Sequence, residues 1–292
     1  MKKRAKFSEL SMHAVFLLCG CAAIAFVILI SIYLTLSGLP AIREIGLGQF
    51  LLGTIWAPTH AAEPRFGILP MILTSLYGTF AAILIGVPIG FFTALYLAKI
   101  APRRTAAVVR PMINILAGIP SVVYGLVGML VLVPALRELF DLPAGDSLLA
   151  AIIVLAVMIL PSVISISETA LSAVPREYEE GSLALGATKL ETYLRVSVSA
   201  ARGGLTAAVV LGIGRAVGEA MAIQMVAGNV VNMPSLLKSV RFLTTGIAAE
   251  MNYASPGSLQ RQALFSIGLV LFVFIILINI ALQFVLRREK EA

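Results

Sequence analysis

The sequence predicts an all-α membrane protein with six transmembrane helices and both termini in the cytoplasm. Hydrophobic residues make up 59% of the 292-residue chain and charged residues only 13%, whereas soluble domains carry about 45–50% apolar and about 25% charged residues. Apolar runs long enough to cross a bilayer, about 20 residues each, recur along the chain. Six such helices with their loops use up its length, so we expect residues 1–292 to form a single polytopic membrane domain without a separate soluble domain.

Each of the six apolar runs is long enough to span with some tilt. The first is far longer than the apolar region of a signal peptide, so we expect an uncleaved first span. The runs are Met12–Leu36, Ile68–Ala98, Pro111–Leu136, Leu148–Leu171, Leu205–Ala227 and Ala263–Leu286.

The third run is interrupted by Gly118, Pro120 and Pro134. Broken helices are tolerated at membrane depth where the backbone lines a cavity or is buried in protein. Pro120, Ser121 and Tyr124 are therefore candidate residues of a solute pathway, with a plain helix kink as the alternative. Asn114, earlier in this run, is equally open to both readings.

Glycines spaced along two predicted helices favour close helix packing. Gly86 and Gly90 are four residues apart in the second run, and Gly212, Gly214 and Gly218 follow one another in the fifth. The latter three are not a dinucleotide fingerprint, because that motif requires a preceding strand.

The distribution of lysine and arginine predicts the orientation, because cytoplasmic loops are enriched in these residues. The loop Lys99–Arg110 has four bases and no acid and is predicted inside, whereas Arg137–Asp146 has one base and three acids and is predicted outside. The net charge of +7 follows from this asymmetry, so we expect the lipid bilayer and not nucleic acid as the partner of the basic residues. Basic residues at the two ends agree: Lys2, Lys3, Arg4, Lys6, Arg287, Arg288 and Lys290.

Arg215 and Glu219 lie one helical turn apart in the fifth run. An arginine near the centre of a membrane segment costs about 2.5–3.5 kcal/mol on insertion scales, and such residues mark solute or ion pathways by default. The pair either lines a pathway or fixes helix packing. Base before acid is the weaker order for pairing within a helix, which favours partners on other helices. Glu168, near the inner end of the fourth run, is either an interfacial residue or part of an inner gate.

No pattern indicates an enzyme, a cofactor or a metal site. Cys19 and Cys21 point to different faces of a predicted helix, and His13 and His60 lie far apart. The stretch 181–189 resembles a phosphate-binding loop, but its lysine does not directly follow the second glycine and no strand precedes it. Any ATP must therefore be hydrolysed by another chain.

The long internal connection 172–204 carries four bases and four acids, and its Ala, Leu and Glu content favours short helices. Glu180-Gly181-Ser182, then three residues, then Gly186, followed ten residues later by Val196–Ser199, resembles the EAA loop of ABC-transporter permeases. Ser199 replaces the proline that usually ends this pattern. An ordinary solvated loop is the alternative.

This resemblance implies a type I ABC permease fold with a core over residues 68–286 and a coupling loop over 172–204. The coupling helix of that family seats in the ATPase subunit. The residues that would do so here are Glu179, Glu180, Gly181, Ser182 and Gly186.

Five further segments sharpen the resemblance to the PstC-type permease of bacterial phosphate ABC importers. They are Trp56-x-Pro58, Phe66–Pro70, Gly118–Gly125, Ser182–Thr188 and Gly214–Ala222. The resemblance implies an inner-membrane subunit that works with a second homologous permease, an ATPase dimer and a periplasmic phosphate-binding protein, with Arg215 and Glu219 on the phosphate path. A related oxyanion and the sister PstA-type subunit stay open, although the first two segments favour the PstC type.

An autonomous secondary transporter or channel is the competing class. It would require a self-sufficient site, often with inverted repeats, and no repeat is evident. Moving one negative charge inward against an inside-negative potential costs about 2.3 kcal/mol per 100 mV, and nothing in this chain supplies that energy. A membrane scaffold would need no buried arginine.

Overall fold

A computed structural model describes the backbone of residues 2–60 and 62–291 and the side chains of residues 12–60 and 62–281. Within this part of the chain, six helical stretches are long and apolar enough to cross a membrane, which confirms the predicted class. The basic residues at the two ends are not among the side chains that the structure describes. The cytoplasmic orientation of the termini therefore stays a prediction. The six stretches are Met12–Ile45, Leu69–Ile100, Ser121–Leu139, Leu148–Ser172, Lys189–Gly218 and Leu259–Ala281.

The elements follow in chain order, with two short antiparallel strands in which Trp56 lies opposite Phe66. The first group is α1 (Lys2–Ile45), α2 (Leu47–Leu52), β1 (Trp56–Ala57), β2 (Arg65–Phe66), α3 (Leu69–Leu95), α4 (Arg103–Gly118), α5 (Ser121–Val127) and α6 (Val133–Leu139). The second is α7 (Leu148–Ser172), α8 (Arg176–Ala184), α9 (Lys189–Glu191), α10 (Val198–Gly218), α11 (Met221–Val226), α12 (Leu243–Glu250) and α13 (Leu259–Glu291). The described backbone has three π-helical segments: Tyr96–Ile100 extends α3, Gly128–Leu132 joins α5 to α6, and Thr192–Ser197 joins α9 to α10.

The core forms where α7 packs between α3 and α10. A Cβ atom at Gly86 would lie 2.7 Å from Ile159 Cδ1, and one at Gly90 would lie 2.8 Å from Val163 Cγ1. These two glycines therefore permit the close approach of α3 to α7, as predicted. Gly212 plays a similar part in α10, since its Cβ would lie 3.1 Å from Val163 Cγ2.

For Gly214 and Gly218 the packing prediction finds no support within this chain, because a Cβ atom at either would meet nothing within 4 Å among the described residues. Gly214 instead faces an open groove, described below.

The predicted third span, Pro111–Leu136, was wrong in its bounds. Helix α4 ends at Gly118, Ile119 is extended (φ −70°, ψ 127°), and a new helix begins at Ser121. Proline has no N–H and disfavours the helical conformation of the residue before it, so Pro120 ends one helix and begins the next. The crossing helix is consequently Ser121–Leu139.

The predicted fifth span, Leu205–Ala227, was wrong at both ends. The chain is helical from Lys189 to Gly218, and Glu219 is extended (ψ 131°). The charges of the preceding loop concealed the true start, and the apolar residues of α11 made the helix look continuous. Arg215 therefore lies in the last turn of α10 and not near the centre of a span.

The two ends of the bundle differ in their contents. One, the hairpin end, holds β1, β2, α11 and α12, and the carboxylate of Glu250 joins its parts by accepting from Trp56 Nε1 (3.0 Å), Arg241 Nη1 (2.5 Å) and Gln260 Nε2 (3.2 Å). The other, the α8 end, holds α8 and the basic connection before α4, which Lys99 joins to α8 through an ion pair with Glu179.

Candidate functional site

A groove of about 940 Å³ runs along α10 and reaches α7. Among the described residues, its lining includes two arginines and no acid, and the other side chains are small, hydroxylated or apolar. Such a lining gives the groove a positive potential in a largely apolar wall. The lining residues are Ser162, Ala200, Arg202, Gly203, Thr206, Ala207, Val210, Leu211, Gly214 and Arg215.

Arg215 is held at the end of this groove by one side-chain hydrogen bond. Its Nη1 donates to Ser162 Oγ at 3.0 Å. The arginine also lies in the last turn of α10, where the helix dipole stabilises a cation. Because a guanidinium has five N–H donors and Ser162 is its only hydrogen-bond partner among the described side chains, most of its donors are available to water or to an anion.

Glu219 does not pair with Arg215 among the described residues. Its Oε1 accepts from the backbone N–H of Ala222 at 2.9 Å, and its backbone carbonyl accepts from Thr244 Oγ1 at 2.7 Å. Glu219 is thus the residue at which α10 ends, and its side chain accepts a hydrogen bond from the first turn of α11. The two side chains of the predicted pair have separate partners, so among the described residues no carboxylate is paired with Arg215.

The other three predicted pathway residues lie outside this groove. Tyr124 Oη donates to the carbonyl of Leu116 at 2.8 Å and so bridges the break between α4 and α5. Tyr124 also lines a separate apolar groove of about 460 Å³ between α5 and α7. Pro120 precedes α5 and Ser121 is its first residue, and a pathway role for all three stays a prediction.

Sequence reasoning missed three polar residues of the groove, Ser162, Thr206 and Arg202. Serine is common in membrane helices and carries no insertion penalty that would single it out. Arg202 was assigned to a loop because the start of the fifth span was misplaced. Glu168, left open by the sequence, forms an ion pair with Arg110 at 2.5 Å and joins α7 to α4.

The predicted coupling segment folds as a short helix ended by a glycine. Helix α8 closes with hydrogen bonds from Gly186 N to Leu183 O (3.0 Å) and from Ala187 N to Ser182 O (3.3 Å). Gly186 has φ +89°, a left-handed conformation that glycine adopts without steric cost. The preceding residue, Leu185, is 91% exposed, and the sequence had not marked it.

The predicted coupling residues within α8 fall into two sets, exposed and anchored. Glu180 and Gly181 are exposed. The side chains of Glu179 and Ser182 instead contact the bundle, where Glu179 meets Lys99 and Ser197, and Ser182 Oγ lies 3.0 Å from Thr192 Oγ1. One face of α8 is therefore anchored, and the other is open.

These features define a helical membrane permease with a cationic groove and an exposed helix at one end. Residues 86–291 match the sequence profile of the family described as "Binding-protein-dependent transport system inner membrane component". The chain belongs to this family and is a permease subunit of an ABC importer.

Two relatives match along most of their length. The chain is 41% identical over 275 residues to the probable ABC transporter permease protein YqgH of Bacillus subtilis, covering 93% of this chain and 89% of that protein. It is 35% identical over 292 residues to the phosphate transport system permease protein PstC of Haemophilus influenzae, covering 92% and 91%.

The fold is similar to that of a solved transporter, the MetNI methionine ABC transporter in an inward-facing conformation. The TM-score is 0.56 at 23% identity, over 76% of this chain and 94% of that one. Together with the family, this likeness makes the protein a multi-pass inner-membrane transport subunit and not an enzyme. The family also implies an ATPase and a substrate-binding protein as partners.

Proposed function

We propose that this chain is the PstC-type permease subunit of a phosphate importer, acting with a second homologous permease, an ATPase dimer and a periplasmic phosphate-binding protein. The observation that carries the proposal is the groove that contains Arg215 and Arg202, with no acid among its described lining residues. The PstC relatives, aligned over most of the chain, support phosphate as the substrate.

The chemistry of the groove suits an oxyanion. A guanidinium stays charged at any physiological pH and offers paired N–H donors that match two phosphate oxygens. The hydroxyl of Ser162 lies beside it, 3.0 Å from Nη1, and can also contact the anion. The apolar wall lowers the local dielectric and so strengthens the attraction between guanidinium and phosphate.

The α8 end is proposed to face the cytoplasm. The ion pairs Lys99–Glu179 and Arg110–Glu168 place the basic connection 99–110 at the same end as α8. Lysine and arginine are enriched in cytoplasmic loops, and an ATPase can reach α8 only from that side. Import of a phosphate with one to two charges requires about 2–5 kcal/mol at 100 mV before any concentration gradient, and closure of the ATPase dimer on α8 would supply it.

The test is uptake of radiolabelled phosphate by proteoliposomes that contain the four kinds of subunit, with ATP inside the ATPase-facing compartment. We expect uptake that requires ATP and the binding protein and that unlabelled arsenate, the closest isostere, inhibits more strongly than sulfate or molybdate. Preferential uptake of another oxyanion would contradict the substrate assignment. Uptake by the chain reconstituted alone would instead indicate an autonomous transporter.

A further inference from the structure

A buried polar junction joins α8 to two membrane helices. The Oε1 atom of Glu179 lies 2.5 Å from Lys99 Nζ and accepts a hydrogen bond from Ser197 Oγ at 2.8 Å. The side chain of Lys99 is only 9% exposed and that of Glu179 only 18%. Ser197 is fully buried, so three residues from separate parts of the chain meet at one carboxylate oxygen.

Both partners of Glu179 lie in π-helical segments. Lys99 belongs to Tyr96–Ile100, which extends α3, and Ser197 ends Thr192–Ser197, which leads into α10. A second contact, between Ser182 and the buried Thr192, fixes α8 to the same π-helical segment. π-helical turns inside helices occur frequently at functional sites. The contacts of α8 with two such segments therefore indicate a functional role for this junction, in addition to fixing the position of α8.

The helix that receives α8 also carries Arg215. It continues without interruption from Ser197 to Gly218, which places Arg215 about 27 Å along the axis from Ser197 at 1.5 Å per residue. A displacement of α8 that moves Ser197 therefore moves Arg215 with it. Through Lys99, the same displacement also moves α3. Because α3 packs against α7, the displacement then reaches the core from the side opposite α10.

We propose that Glu179 is a positioning residue that transmits movement of α8 to α10 and α3, and not a contact to the ATPase. This inference rests on the proposed function only in taking α8 as the ATPase-binding helix. The inward position of Glu179 supports it, because a carboxylate held by Lys99 and Ser197 is not presented to a partner. The neighbouring Glu180 is exposed and is free to make that contact.

Removal of one member of a buried ion pair leaves the other charge uncompensated, whereas exchange of the two charges preserves the pair. The variants are therefore Glu179→Gln, Lys99→Met and the exchange Lys99→Glu with Glu179→Lys. Glu138→Gln is the matched control, since Glu138 is an exposed glutamate of α6, outside the helix proposed to bind the ATPase. All are assembled with the ATPase, the second permease and the binding protein.

Two readouts are measured on each complex. The first is phosphate taken up per ATP hydrolysed. The second uses Ala207→Cys in the groove, with Cys19→Ser and Cys21→Ser to remove the two native cysteines, and follows the change in its rate of thiol modification when ATP and vanadate trap the ATPase. The second readout does not depend on which solute is carried.

Glu179→Gln and Lys99→Met are expected to retain the ATPase and its hydrolysis, to lower uptake per ATP at least ten-fold, and to abolish the ATP-dependent change at position 207. The charge exchange should restore both readouts in part, and the control should match the wild type. Loss of ATPase binding in Glu179→Gln, with Lys99→Met unaffected, would overturn the proposal and make Glu179 a docking residue. Unchanged coupling in both single variants would overturn it as well.

The same variants also give a clear answer if the single variants do not assemble or if the wild-type complex takes up no phosphate. If the single variants fail to assemble, recovery in the charge exchange supports the junction and lack of recovery contradicts it. If wild-type complexes take up no phosphate, the substrate assignment fails, while the change at position 207 still tests the junction.

Discussion

Replacement of Arg215 by glutamine is expected to reduce phosphate uptake by the assembled importer about 10–100-fold, because hydrogen bonds to charged groups contribute about 1.5–3 kcal/mol each. The amount of inserted protein should hardly change. Arg215 makes a single hydrogen bond to Ser162 among the described side chains, so little folding free energy depends on it. Lysine at this position keeps the charge but loses the paired donors, and an intermediate rate is expected.

The control is Arg104→Gln, since Arg104 is an exposed base of α4 that does not line the groove. Uptake rates, normalised to the quantity of assembled complex, distinguish a pathway role of Arg215 from a role in helix packing. Equal uptake by Arg215→Gln and the wild type would contradict a pathway role. A parallel fall in inserted protein for both Arg215→Gln and Arg215→Lys would support the packing alternative.

The second large effect is expected at Leu185. A leucine 91% exposed at the end of a helix is an unusual surface residue, and Gly186 fixes its position through a left-handed turn. If α8 seats in the ATPase, Leu185 is the apolar side chain best placed to be buried there. A buried anchor of an interface contributes about 2 kcal/mol or more, so Leu185→Ala should weaken ATPase binding about 30-fold.

Copurification of the ATPase and ATP-dependent uptake measure this effect. Leu190→Ala is the matched control, because Leu190 is 57% exposed but lies beyond the turn, in α9. Uptake per bound ATPase should be unchanged in Leu185→Ala, which separates loss of docking from the loss of transmission expected at Glu179. Full retention of the ATPase by Leu185→Ala would show that another surface holds it.

Hydropathy was sufficient to predict the number of spans but not all of their bounds. The first, second, fourth and sixth spans were found because their apolar runs coincide with helices. The third and fifth were misplaced because backbone chemistry, and not hydropathy, decides where those helices begin and end. Pro120 divides one apolar run into two helices, and the extended backbone of Glu219 ends the helix in another.

The sequence revealed those site residues whose type is unusual at their position and missed those whose type is common in membrane helices. Arg215 was identifiable because a charge there is costly, and Gly186 because helix ends select glycine. Ser162 carries no such signal, and its role depends on how α7 packs against α10. The inward position of Glu179 depends on Lys99, which is distant in the chain, so only the fold could reveal it.

The central claim is that the guanidinium of Arg215 lines a phosphate path. Its most direct test measures the accessibility of position 162, next to Arg215, to charged thiol reagents. Ser162→Cys in the background without Cys19 and Cys21 is treated, within the assembled importer, with an anionic and with a cationic thiosulfonate. We predict faster modification by the anionic reagent, slowed by phosphate, and loss of that preference when Arg215 is also replaced by glutamine. Modification that ignores reagent charge and phosphate, or no modification in any trapped state, would contradict the claim.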